Sequence, residues 1–501
     1  MKANRTVPRL YKGFRDIFAA DLQMRNWMID RIRTVYERYG FAPLETPAIE
    51  YVDVLGKFLP EADQPDGGIF SFRNEDQDWI ALRYDLTAPL SRVVAQYPEL
   101  PRPFRRYQVG PVYRFEKPGP GRFREFYQFD FDTVGASSMM ADAEVCMIIA
   151  ETLEALGIER GQYLVKVNDR KILSGVLESA GLLEYTKDVT YKGSNGEEVT
   201  KTITAADILR SIDKLDKIGI PGVKQLLSGG RRDQSGDFTP GCQLSDEAIA
   251  VIEAYLNTQG ATRLAVCDQW EKIVGESKIG LEGVAELREI DGILSALGID
   301  ESQVIYDPTI VRGLAYYTGP VFEAVLTFPI FDEKGEEKQF GTVFGGGRYD
   351  SLIERFTGQK VAATGASVGV DRLLAALKLL GKVPNRSSTA QVLVTVMDKK
   401  SGAEYAKIAK ELREAGINAE LFTGNGNIGK QLKYADHCNI PFALIAGENE
   451  FAAGEVQIKD LWLGKELSEQ IAGREEWRRD RPAQSTVKRE ELVAFLKEAL
   501  Q

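Results

Sequence analysis

Histidine is nearly absent from this chain: His437 is the only one in 501 residues. That scarcity removes most serine–histidine–aspartate, cysteine–histidine and histidine-ligated metal chemistries. His437 lies between Asp436 and Cys438, but neighbours on a helix point about 100° apart, so the three cannot converge. It reads as a surface or half-buried helix residue. Four cysteines, Cys146, Cys242, Cys267 and Cys438, form no CxxC pair and are too few for a disulfide framework, which implies a reducing compartment. No run approaches the roughly 18 apolar residues of a membrane span, and no apolar segment follows the basic start MKANRTVPRLYKG. The expectation is a cytoplasmic protein without a membrane association, whose chemistry rests on charge and positioning. Internal repeats and low-complexity tracts are missing too.

What is present is ample core material: 44% hydrophobic residues in 501 suit two or three packed domains. Net charge is −11, so the global field repels nucleic acid and any polyanion must be held by a local basic patch. That excludes a non-specific nucleic-acid binder and leaves a tRNA partner open.

Met28, Ile32, Val35 and Tyr39 recur at helical spacing before Gly40, predicting a helix over 22–39. FAPLETPAIEYVDVL reads as a strand interrupted by Pro47. Alternation at 79–84, 104–115 and 123–134 predicts strands, and 139–156 a helix. The pattern is an antiparallel sheet flanked by helices, the α+β class. Polar helices at 205–218, 244–257 and 280–297 follow, broken by the glycine-rich 229–241. The sheet resumes at about 304–328 and 339–346. GKVPNRSSTA, 381–390, is a linker by composition. Beyond it strands and helices alternate, implying a small doubly wound, largely parallel sheet, and 488–500 is a terminal helix. GNGNIGKQ, 424–431, nearly matches a phosphate-binding loop, yet Gln431 replaces the required hydroxyl, which argues against an NTPase.

Three segments carry chemistry. FRRYQVGPVYRFEKPGPGRFREFYQFDFD, 104–132, holds five arginines in two strands joined by a basic loop, a good shape for a polyphosphate. VRGLAYYTGPVFE, 311–323, and FGGGRYDSL, 344–352, stand far downstream. Together they resemble the histidyl-tRNA synthetase family of class II aminoacyl-tRNA synthetases, over about residues 10–460.

The resemblance implies a class II synthetase catalytic domain at 1–168 and 304–380 and a helical insertion domain at 169–303, bracing the tRNA acceptor stem. After the linker it implies an α/β anticodon-binding domain at 391–472 and a tail with a helix at 473–501. The implied activity is that of a histidine–tRNA ligase. It makes histidyl-adenylate from L-histidine and ATP with Mg2+, releases pyrophosphate, and transfers histidine to the 3′ end of tRNA(His). A homodimer built on the segment around Pro47 is implied as well.

Residue by residue, Arg114 matches the arginine that bridges the substrate carboxylate and the α-phosphate, a task suited to a guanidinium's donor fork. Glu116 and Phe126 match the residues that accept from the adenine amino group and stack on its ring. Arg122 and Arg124 match loop arginines that reach ATP phosphates and the tRNA acceptor end. Arg372, in ASVGVDRL, would sit under the adenine near the γ-phosphate. In RYDLTAP, Asp85 and Thr87 hold the α-ammonium. Gln128, Asp130 and Asp132 share one strand face, and the family match places Gln128 and Asp132 in the pocket. Asp132 and Tyr317 would meet the two imidazole nitrogens, a buried polar pairing able to reject apolar competitors by ~10⁴. Strand alternation would send one of Tyr316 and Tyr317 to the core. Arg312 completes the site near the α-phosphate, in the part a metal ion plays in other class II enzymes. Gly345 to Asp350, with Gly345 and Gly346 against histidine, would form the pocket floor. No metal-ligating side chain is expected. Position 315 is alanine where the family commonly has aspartate. The competing reading is a non-catalytic, histidine-sensing regulatory paralogue for histidine biosynthesis. Such subunits usually lack the anticodon-binding domain, and 390–460 with Arg114 and Arg372 oppose that reading. RGLAYY and GGGRYD disfavour a proline or threonine enzyme.

Overall fold

A computed structural model describes residues 6–55, 68–115, 123–192, 197–232, 238–311, 313, 317–331, 334–338, 340–383, 388–470 and 483–500. Contacts divide the chain into two compact units, Met1–Arg15 with Trp27–Val383, and Asp16–Asn26 with Pro384–Gln501. The break at 383/384 falls inside the linker expected at 381–390.

The first unit is organised by an eight-stranded sheet. Numbering only its strands in chain order, they are β1 (Ala42–Pro43), β2 (Phe104–Tyr113), β3 (Glu125–Val134), β4 (Tyr163–Asp169), β5 (Val304–Tyr306), β6 (Pro320–Leu326), β7 (Thr342–Arg348) and β8 (Ala363–Gly369). Their spatial order is β1-β2-β3-β8-β7-β6-β4-β5. Every neighbouring pair is antiparallel except the two edge pairs, β1 with β2 and β4 with β5. The ten-residue β2 and β3 pair along their full length, Phe104 opposite Val134 and Tyr113 opposite Glu125, as their aromatic and β-branched alternation predicts.

Alternation sorts this sheet into two faces. One is packed: Phe129 and Phe131 of β3 lie against Tyr36, ring centroids 4.9 and 4.8 Å apart. Arg348 of β7 forms a buried ion pair with Asp142 of the helix Met140–Ala155. The first long helix is Ala19–Arg38, and its buried stripe runs through Met28, Ile32, Val35 and Tyr36. Tyr39, expected in that stripe, lies past the helix end and donates its hydroxyl to Glu151 at 2.6 Å. Pro47 does split its segment, into Ala42–Pro43 and Ile49–Tyr51.

Between β4 and β5 the expected polar helices appear as Ala205–Ile212 and Leu215–Leu227, Asp246–Leu256 and Lys278–Ala296. The region is less purely helical than its polarity suggested. It also holds a hairpin of Thr186–Lys192 with Glu198–Thr204, and the glycine-rich stretch pairs Gly230–Arg232 with Phe238–Pro240.

In the second unit, Val392–Val394 is flanked in parallel by Ala419–Leu421 and Phe442–Ile445. Two antiparallel strands, Glu455–Asp460 and Gln484–Lys488, extend the sheet, so only its core is parallel. The segment read as a tail at 473–501 is corrected here. Val487, Leu492 and Leu496 are buried in the same core as Val392, Val394 and Tyr405, because that sheet has an edge and an apolar face to cover. Asn427 caps the helix Ile428–His437, and Gln431 is spent on the Val396 and Gly426 backbone. His437 is exposed.

The Asp142–Arg348 pair supplies a test. Asp142→Ala leaves the buried guanidinium with only the longer contact to Asp350 at 3.5 Å, and losing the close partner of a buried pair costs about 3–5 kcal/mol. A urea titration is expected to show that drop in unfolding free energy, and a change below about 1 kcal/mol would contradict the reading.

Candidate active site

The unpacked face of the sheet carries the residues of interest. Register places Arg106, Gln108 and Gly110 of β2 opposite Asp132, Asp130 and Gln128 of β3, and these opposite Gly365, Ser367 and Gly369 of β8. Gly345 and Gly347 of β7 continue the rows beside Ser367 and Gly365. Gln128, Ser367, Gly369 and Gly345 are all half-exposed, so this face opens toward solvent over a floor largely without side chains.

Arg106 is fully buried and holds the far end of that face together. It pairs with Asp132 at 2.8 Å and donates to the Leu86 carbonyl at 3.1 Å. The Tyr349 hydroxyl donates to the other Asp132 oxygen. Burial pushes the Asp132 carboxyl up, and Arg106 and Tyr349 pull it back. Burial carries Asp130 up to about 7; Asp132 and Asp85 add to the rise, while Arg106 and the Ser367 hydroxyl oppose it. Gln128 donates to Ser367 at 2.8 Å. Buried polar atoms are left without a hydrogen-bond partner along this strand, the amide oxygen of Gln128, Oδ1 of Asp130 and Oδ2 of Asp132, the last facing Arg106.

Asp85 sits in the turn before the helix Thr87–Gln96 and accepts from the Ala88 amide at 3.0 Å. Its carboxyl is raised by burial, against the pull of that amide, of Arg114 and of Arg106. Thr87 is buried in the first turn. Arg114 follows β2, its guanidinium 4.3 Å from the Tyr84 ring centroid and 5.1 Å from that of Phe126. Its Nε is buried without a hydrogen-bond partner. Arg372, exposed in the first turn of Val370–Leu379, donates to the Thr342 carbonyl at 2.7 Å. Asp85, Thr87, Arg114, Phe126, Gln128, Asp132 and Arg372 thus belong to one sheet face and its rim. Glu116, Arg122, Arg312 and Tyr316 lie outside the described residues, as does Ala315.

Three expectations need correction. Gly346 pairs with Ala366 and falls on the packed face, where a Cβ would collide with the Gly365 carbonyl; the β7 glycines of the other face are Gly345, half-exposed, and Gly347, covered by the Tyr317 ring. Arg348, Tyr349 and Asp350 are not floor either, since Arg348 is tied to Asp142 and Tyr349 to Asp132. Tyr317 precedes β6, which begins at Pro320, so strand alternation does not govern the tyrosine pair. Its ring packs where a Gly347 side chain would stand and borders the cluster of Leu90, Val134 and Tyr349. Arg124 is engaged with the N-terminal segment, donating to the Lys12 carbonyl at 3.3 Å and lying 4.4 Å from the Phe115 ring centroid.

Sequence reading missed Arg106, Ser367, Arg83 and Asp371, and gave Tyr349 to the floor rather than to Asp132. Arg83 donates to the Thr46 and Pro111 carbonyls, both at 2.8 Å, and fills the space that Gly110 leaves. Asp371 receives Arg15 and, at 2.8 Å, the Tyr127 amide. The available signal was a charged residue inside a strand with strong apolar alternation, since such a charge is buried only with a partner.

An antiparallel sheet with arginines at one end of an open face, carboxylates at the other and a separate α/β domain defines a class II aminoacyl-tRNA synthetase. Comparison narrows the class. Residues 13–373 match the family described as histidyl-tRNA synthetase, and 391–499 match the anticodon binding domain. A histidine–tRNA ligase of Paracoccus denitrificans is 52% identical over 497 residues, 98% of this chain and 97% of that one. One from Rhizobium meliloti is 50% identical, covering 100% and 97%. The crystal structure of a histidyl-tRNA synthetase from Nostoc sp. superposes with TM-score 0.73 at 28% identity, covering 99% of this chain and 100% of that one. The chain belongs to the histidyl-tRNA synthetase family. A Bacillus halodurans protein described as an ATP phosphoribosyltransferase regulatory subunit/histidyl-tRNA synthetase shares the fold, with TM-score 0.63 at 20% identity.

Asp130 also predicts a pH dependence. Its folded value of about 7 exceeds the ~3.9 of an unfolded aspartate, so the folded state binds this proton more tightly. Stability is therefore lost as pH rises from about 4 to about 7. Asp130→Asn escapes that loss. Its melting temperature is expected to exceed wild type by a few degrees at pH 8 and to match it near pH 4; equal shifts at both pH values would refute the assignment.

Proposed function

We propose that this chain is a histidine–tRNA ligase, which joins L-histidine to ATP as histidyl-adenylate and passes histidine to the 3′ end of tRNA(His). The observation that carries the reading is the polarity of the open face. Acceptors without a hydrogen-bond partner line β3 at Gln128, Asp130 and Asp132, an unpartnered donor stands at Arg114, and the floor between is glycine, at Gly345, Gly347 and Gly365. A zwitterion with a second N–H-bearing end fits that arrangement, carboxylate toward Arg114 and ammonium toward Asp85, Thr87 and Gln128. The imidazole lies toward Asp132 and Tyr317.

Phe126, beside Arg114, offers a face for adenine, with Arg372 across the β7–β8 end and Glu116 accepting from the amino group. Arg122 and Arg312 extend the positive charge over the phosphates. Activation then needs positioning and neutralisation of charge as pyrophosphate leaves. A substrate phosphate oxygen takes the proton in the transfer step, so no side-chain base is required. Magnesium would travel with the ATP phosphates, which suits its habit of using one or two carboxylates plus phosphate. The described residues contain no cluster of three metal-ligating side chains.

The second unit is the one to hold the anticodon, and the loop arginines Arg122 and Arg124 the acceptor end. Exposed Ile49, Tyr51 and Phe72 on one small three-stranded sheet support a homodimer. Among the described residues no helix is long and apolar enough to cross a membrane, consistent with work in the cytoplasm.

The test is pyrophosphate exchange with each standard amino acid, without tRNA. Exchange is expected with histidine alone, to fall about 10²–10³-fold in Arg114→Ala, and to be lost in Arg312→Ala. Absence of exchange with any amino acid, while calorimetry still detects histidine binding, would overturn the reading in favour of a regulatory sensor.

A further inference from the structure

We infer that Arg15, in the segment before the first long helix, is a positioning residue for ATP. Through Asp371 and Phe123 it sets the spacing between Phe126 and Arg372, the two side chains proposed to face adenine. The inference rests on the ligase reading and concerns the frame of its nucleotide site.

The end of the sheet supplies the first argument. The last pair of β8 with β3 joins Gly369 to Gln128, so Glu125, Phe126 and Tyr127 at the start of β3 run on without a strand on that side. Backbone donors left there need partners. The Tyr127 amide donates to Oδ2 of Asp371 at 2.8 Å. The amide of Arg124, just ahead of β3, donates to the Gly13 carbonyl at 2.9 Å. A carboxylate in the first turn of the helix Val370–Leu379 and the N-terminal segment thus finish what β8 leaves open.

Convergence on one guanidinium is the second. Asp371 has its other oxygen, Oδ1, taken by Arg15. The same guanidinium lies over the Phe123 ring, 3.8 Å from its centroid. Phe123 stands shortly before Phe126, and Asp371 directly before Arg372, so Arg15 joins the two chain segments that carry the proposed adenine faces. Arg372 itself is held by its donation to the Thr342 carbonyl at 2.7 Å. Covering a ring and pairing with a carboxylate at once suits a planar guanidinium better than an ammonium.

Anchoring is the third. The segment that carries Arg15 is packed: the Phe14 ring centroid lies 5.8 Å from that of Phe70 and 6.5 Å from that of Tyr113, and Tyr11 lies 6.2 Å from Phe70. Arg124 adds a hydrogen bond to the Lys12 carbonyl at 3.3 Å. The Arg15 side chain nevertheless stays 36% exposed. An ion pair that open contributes little to stability, so a kinetic loss on its removal reads as lost positioning.

The experiment uses the full chain in pyrophosphate exchange without tRNA, varying ATP and histidine separately. Misplacement by about 1 Å at a reacting site costs up to about 100-fold. Arg15→Ala is expected to raise the KM for ATP about 10-fold, with the KM for histidine changed less than about 3-fold and the melting temperature by less than about 2 °C. Arg15→Lys, which keeps the charge and loses the plane over Phe123, is expected to raise it about 3-fold. Asp371→Asn keeps an acceptor for the Tyr127 amide and loses the charge that faces Arg15. It is expected to match Arg15→Ala, and the double variant to be no worse than either, because both remove the same link. A KM for ATP within about 2-fold of wild type in Arg15→Ala and in Asp371→Asn would overturn the inference. Equal rises in both KM values with a lowered melting temperature would do so too, by assigning Arg15 to structure. Should Arg15→Ala fail to fold, Asp371→Asn decides by the same comparison. Wild-type exchange with histidine is the control: its absence removes the ligase reading itself, whereas its presence with an unmoved KM for ATP in the variants removes only Arg15.

Discussion

One buried guanidinium organises the open face of the sheet. Arg106 has no solvent exposure, yet it meets Asp132 directly and moderates the carboxyls of Asp130 and Asp85. A single charge cannot neutralise three carboxylates, and burial makes an uncompensated charge costly. The balance is struck with Arg114 near Asp85, Arg83 near Asp130, and a proton that Asp130 keeps up to about pH 7. Arg106 also grips the Leu86 carbonyl, which fixes the turn carrying Asp85 and Thr87 against the strands carrying Gln128 and Asp132. Without it the proposed ammonium and ring subsites would have no common frame.

The second constraint is the two-residue period of a strand. It sends Phe129 and Phe131 to Tyr36 and leaves Gln128, Asp130 and Asp132 for the other side. On β7 the same period separates Gly345 and Gly347 from Gly346, although all three are glycines in one run. Gly345 leaves open floor and Gly347 makes room for the Tyr317 ring, whereas Gly346 permits close contact with β8. A glycine motif is therefore not one functional unit; its pleat decides which members face a ligand.

Much of this was legible beforehand. The alternation of 104–134 identified β2 and β3 nearly to their ends, and the arginine segment with GGGRYD marked the face they would build. What escaped depended on contacts between residues distant in sequence. Arg106 looks like any strand arginine until Asp132 and Leu86 arrive beside it. Tyr349 looks like a floor residue until it reaches across to Asp132. Gln484–Lys488 looks like part of a charged tail until it adds an edge to the C-terminal sheet. Local pattern specifies an element and its faces, but not which buried charge will pair with which.

The scarcity of histidine gains a physical sense on this reading. Imidazole side chains lining the pocket would titrate in the same range as the ligand's own ring and would offer donors and acceptors interchangeably. Carboxylates and tyrosine present a fixed polarity instead. Acceptors line β3, a donor stands at Arg114, and burial raises the Asp130 carboxyl to about 7. Selectivity follows from that fixed polarity, because an amino acid without ring N–H groups leaves buried acceptors of β3 unmatched.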